Sequence, residues 1–117
     1  MAKTPVPRKK PLPVPKEQWD MPASLSADGS RMASLRELVD SGTPTLSLGQ
    51  LSQDQFADVV AKRIEAQPKF ELQMIGAGKI DKKRAVAEVK AQTEIGRTLM
   101  EIERNLIDDM VQRAEQK

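Results

Sequence analysis

Apolar residues recur along the last third of the chain with a helical period. Ile95, Leu99, Ile102, Leu106 and Met110 follow one another at steps of four, three, four and four, which is one stripe of an α-helix. Ala85, Val89 and Gly96 continue a neighbouring stripe towards the start. Residues 81–117 hold no proline and only one glycine, Gly96. The pattern therefore predicts one helix about 50 Å long, at 1.5 Å per residue. That is longer than the ~30 Å width of a small domain, so it must protrude, bend or find a partner. On the opposite face Lys90, Arg97 and Arg104 are each followed four residues on by Glu94, Glu101 and Asp108. Such i,i+4 pairs contribute about 0.2–0.5 kcal/mol apiece. With Leu99 at heptad position a and Ile102 at d, clean coiled-coil character lasts only from Gln92 to Leu106, too short for a free-standing coil. Met100, Ile107 and Val111 lie off the main stripe and widen the apolar surface near the end.

Upstream, shorter elements are expected. Ser52 with Gln55 forms a capping box, Leu51 and Phe56 fit a hydrophobic staple, and Phe56, Val59, Val60 and Ile64 supply a buried face. This predicts a helix over 51–67, ended by Pro68. A short helix is expected over 30–40, starting as late as Ser34 if Ser34 and Glu37 form their own capping box, with Gly42 beyond its end. Phe70, Leu72 and Met74 alternate as in a strand, but with no second strand to pair with, 69–75 reads as a short helix. Gly76-Ala77-Gly78-Lys79 lacks the spacing of a phosphate loop and reads as a corner between helices, with Asp81 capping the long helix.

The first 24 residues hold prolines at 5, 7, 11, 13, 15 and 22. Fixed φ angles and missing N–H donors favour extended polyproline II there, as a tail over 1–29. No two of these prolines stand three apart, so the PxxP pattern is absent. Trp19, the one tryptophan, reads as an anchor for the chain's own core or for a partner. The expected fold class is all-α: two or three short helices packed on one long C-terminal helix beginning near residue 81. Residues 30–117 form the small helical domain, preceded by the extended Pro-rich tail.

Composition narrows the picture. At 117 residues, with 38% apolar and 3% aromatic side chains, the chain suits one domain with a modest aliphatic core. It has no cysteine, hence no disulfide or thiolate metal site. No apolar run is long enough for a membrane span or signal-peptide core, so a cytoplasmic protein is expected, without membrane partners. The formal charge of +2 is unevenly spread. Residues 1–24 carry five basic against two acidic side chains, and residues 68–84 the same. Lys82, Lys83 and Arg84 occupy a first helical turn, where the macrodipole disfavours cations. With Lys9 and Lys10 they are the candidate anion-binding residues.

Catalysis finds no support, because His, Cys and Tyr are all missing. Glu94, Glu101 and Asp108 share a face but stand about 10 Å apart along the axis, too far for one metal. No cofactor, metal or small-molecule substrate is expected. The pattern points to a non-catalytic interaction or structural subunit that binds a larger protein complex, or forms a homo-oligomer, through its long helix and tail. The expected contacts are Trp19, Met100, Ile102, Leu106, Ile107, Met110 and Val111. The second reading is a nucleic-acid-associated protein that holds phosphates with its basic tail and the Lys82–Arg84 cluster.

Overall fold

The computed structural model describes residues 14–40, 42, 44–76 and 78–115. In chain order these form a 3-10 turn (Lys16–Gln18), β1 (Pro22–Leu25), β2 (Met32–Ser34), α1 (Leu35–Val39), a second 3-10 turn (Leu48–Gln50) and α2 (Gln53–Ala66). After these come β3 (Glu71–Met74), β4 (Gly78–Asp81), α3 (Lys82–Ala91) and α4 (Glu94–Glu115). The strands make two separate antiparallel hairpins, β1-β2 and β3-β4. The all-α expectation is therefore wrong, and each hairpin has an identifiable cause.

The first hairpin begins inside the stretch assigned to the tail. Pro22 lacks an N–H, which a strand tolerates at its first position; Ala23, Ser24 and Leu25 follow it and are buried. Leu25 pairs with Met32 and Ser24 with Ala33, and the register shifts between Pro22 and Ser24. The turn between the strands is closed by Asp28, whose carboxylate accepts from the Ser26 hydroxyl, the Ser30 hydroxyl and the Ser30 N–H at 2.7, 2.7 and 3.0 Å. Those donors, the two from Ser30 first, lower the Asp28 carboxyl from 3.8 to about 2. A depressed carboxylate contributes fully above its unfolded value and loses that contribution as pH falls through its folded value. The Asp28 turn is thus expected to stay closed above pH 3.8 and open as pH falls through about 2. A carbon-13 NMR titration should place the Asp28 midpoint near 2, and Ser30→Ala should raise it. A wild-type midpoint at 3.8 would show the turn open in solution.

The second hairpin occupies the stretch read as a helix and a corner. Leu72 pairs with Ile80 and Met74 with Gly78, so the missing partner of the alternating Phe70-Leu72-Met74 run lay just beyond the glycines. Gly76 and Gly78 adopt φ of 85° and 74°, a region open to glycine at little cost, and this reverses the chain within three residues. Ile80 is fully buried beneath the hairpin, while Lys79 and Glu71 form a 2.9 Å ion pair that raises the Lys79 ammonium above its ordinary value.

Both capping boxes form as read. Ser34 and Glu37 cap α1, so the later start holds, and Ser52 and Gln55 cap α2. Asp81 accepts from the Arg84 N–H at the start of α3. The helix expected from 81 onward is broken. Gln92 takes a left-handed φ of 53°, and the Thr93 N–H returns to the Glu88 carbonyl at 3.2 Å. This is the six-to-one bond of a Schellman stop, with Gln where Gly is usual. Thr93 then starts α4, its hydroxyl oxygen accepting from the Gly96 N–H at 3.0 Å.

α2 packs against α3 and α4, and α1 against α4. One continuous core runs from Val14 and Ala23 through Leu35, Val60 and Ile64 to Val89, Leu99 and Ile107. Residues 14–25, part of the sequence-defined tail, thus lie against the helices; residues 1–13, with Lys9 and Lys10, lie outside the described residues.

Candidate functional site

The side chains around α4 decide which surfaces are available. Its buried face centres on Gly96, Leu99, Met100, Glu103, Ile107 and Met110, so of the stripe that the apolar spacing suggested Leu99 and Met110 face the core while Ile102 and Leu106 do not. Arg63 of α2 meets this face at Glu103. It is fully buried, and its Nε donates to a Glu103 carboxylate oxygen at 2.9 Å. Its two other nitrogens donate to the Pro22 carbonyl and the Gln18 side-chain oxygen, each at 2.9 Å. The guanidinium fork thereby ties α2, α4, β1 and the first 3-10 turn together, and Glu103 has to face inward to meet it.

The expected contact residues consequently separate. Met100, Ile107 and Met110 are buried at 6%, 0% and 1% exposure, and Val111 is half-buried. Ile102 and Leu106 are 47% and 38% exposed. They lie one turn apart on the outer face, with half-buried Ile95 continuing the strip. Trp19 is half-buried against the chain's own core, with the Arg36 guanidinium 5.7 Å from its ring centroid. The buried Arg63–Glu103 pair was missed. Its only sequence trace is an Arg placed between Val60 and Ile64 on the apolar side of α2.

The charge ladder does not form as i,i+4 pairs. Lys90 reaches Glu65 of α2 at 3.9 Å, and Arg104 lies over the Phe56 ring at 5.8 Å. Arg97 forms no ion pair among the described residues. Arg97 and Arg104 instead overlook a groove between the start of α2 and the middle of α4, about 290 Å³ in volume. In the basic cluster, the Lys82 ammonium donates to the Gln67 carbonyl and Arg84 pairs with Glu88 at 3.4 Å. The Thr93 hydroxyl, and then Arg84, hold the Glu88 carboxyl below its ordinary value. Lys83 is exposed, and Glu71 and Asp81 stand on the neighbouring hairpin.

Among the described residues no group of acidic side chains is arranged to hold a metal, and no helix is long and apolar enough to cross a membrane. No protein-family model matches the chain, and neither the curated proteins nor the solved structures include a significant match.

Proposed function

We propose that this protein is a non-catalytic interaction module that docks on a larger protein assembly, or on a second copy of itself, through the outer face of α4. The observation that carries the reading is the exposed pair Ile102 and Leu106, at 47% and 38%, on a helix whose other large apolar side chains are wholly or largely covered. Lone apolar side chains on a surface need no explanation. Two at i,i+4, continued by Ile95, make a strip of the kind that lies in a partner's groove. Burying each would contribute about 0.6–1.5 kcal/mol, at most half the value of a fully exposed side chain. The strip therefore belongs to a larger interface in which polar contacts supply the remainder.

The test is an Ile102→Glu, Leu106→Glu double variant. Its circular dichroism is expected to match the wild type, because both positions already face water. It is expected to lose co-purifying partners or, for self-association, to fall in mass by sedimentation. Retention of every partner and of the native mass would refute this contact. Ile107 is unsuitable as a probe, since glutamate there would enter the core.

A further inference from the structure

The groove between α2 and α4 lies on the far side of α4 from Ile102 and Leu106, Arg104 and Leu106 being about 200° apart around the helix. Leu51, Phe56 and Met100 line its apolar part; Phe56 and Met100 are buried and Leu51 half-buried. Arg97 and Arg104 rise over these residues, with Glu101 on the same wall. Neither arginine forms an ion pair among the described residues, and Arg104 is held in place by the Phe56 ring. A guanidinium with no ion-pair partner, resting over an aromatic ring beside half-buried Leu51, suits a carboxylate with an aliphatic neighbour.

Size and spacing select the occupant. A groove of about 290 Å³ is at the small end for whole organic ligands, roughly 300–1,000 Å³, and fits one or two side chains. The two arginines are seven residues apart, so their roots are separated by about 10 Å along the axis. Two carboxylates at i and i+7 of another helix have the same ~10 Å separation, with positions i+3 and i+4 between them on the same face. We infer that this groove takes a helix from another protein, with acidic residues at i and i+7 meeting Arg104 and Arg97 and aliphatic residues between them against Leu51, the accessible apolar side chain of the groove.

The probe is a fluorescein-labelled, alanine-based helical peptide with glutamates at i and i+7 and leucines at i+3 and i+4. A control peptide has lysines in place of the glutamates. By fluorescence anisotropy the full chain is expected to bind the glutamate peptide at least about tenfold more tightly than the lysine peptide. The Arg97→Glu, Arg104→Glu variant is expected to invert that preference. Arg97→Glu alone, at an exposed position that leaves Phe56 covered, is expected to reduce it at least about threefold. The Ile102→Glu, Leu106→Glu variant should bind the glutamate peptide like the wild type, which separates this surface from the outer face of α4. Equal affinity for the two peptides, or an unchanged preference in Arg97→Glu, would overturn the inference. Tighter binding of an oligothymidine strand at the same ionic strength would overturn it in favour of a phosphate site. Loss of peptide binding in the α4 outer-face variant would place the peptide on that face instead.

Discussion

Arg63→Met is expected to destabilise the fold by about 3–5 kcal/mol, the range for leaving one member of a buried ion pair without its partner. The side chain is fully buried, and Glu103 is only 7% exposed. Removing the guanidinium leaves a carboxylate with little water to replace its 2.9 Å partner. It also orphans the Pro22 carbonyl and the Gln18 amide oxygen. Adding Glu103→Leu to Arg63→Met should restore much of the loss, because a buried pair replaced by apolar groups of similar volume is often neutral. Urea unfolding of the single and double variants measures both quantities. A loss below about 1 kcal/mol in Arg63→Met would mean that water reaches Glu103 in the folded protein.

Gly96→Ala sets two effects against each other. Gly96 lies in the first turn of α4, where Ala is still favoured over Gly, by up to about 1 kcal/mol, so propensity alone calls for a more stable protein. A Cβ at position 96, however, would stand 2.0 Å from the Glu88 carbonyl oxygen, 2.5 Å from its carbon and 2.9 Å from the Val89 nitrogen. These are backbone atoms at the capped end of α3, and no side chain can swing aside to make room. Relief requires α4 to move bodily off α3, which would break the Thr93 contacts on both sides of the corner. Overpacking of this kind costs typically 1–3 kcal/mol, occasionally more. With the cost at the top of that range, the net expectation after the propensity gain is a loss of about 2 kcal/mol. Gly49→Ala, which meets nothing within 4 Å, is the matched control and should change little. If Gly96→Ala raises the unfolding midpoint, the two helices do not approach so closely in solution.

The helix starts were legible because capping is local chemistry. Ser34-Glu37 and Ser52-Gln55 advertise themselves within four residues, and Asp81 does so nearly as well. The second hairpin was hidden because its two halves carry different signatures. Phe70-Leu72-Met74 alternates visibly, whereas Gly78-Lys79-Ile80-Asp81 has one apolar residue and looks like a turn followed by a cap. The break at Gln92 was hidden because a left-handed stop normally falls on glycine, and here the glycine sits four residues later. Gly96 was the available sign: a helical glycine with no cap to make needs a close neighbour. The face of α4 was misjudged for a related reason. Apolar spacing treats Glu103 as solvent-facing, and only its long-range partner Arg63 turns it inward. That rotation brings Met100 and Ile107 into the core beside Leu99 and Met110 and leaves Ile102 and Leu106 outside.

The Arg63 fork also bears on the order in which the chain can fold. Its partners lie 41 and 45 residues before it and 40 residues after it. Closing such long loops carries an entropic cost that local helix formation does not. The capped helices α2 and α3 can form from neighbouring residues. By contrast, the guanidinium does not meet Glu103 until that part of α4 has been synthesised and has swung back across the corner at Gln92 and Thr93. The strand from Pro22 to Leu25 therefore gains its full attachment only once Glu103 has been synthesised and has met Arg63.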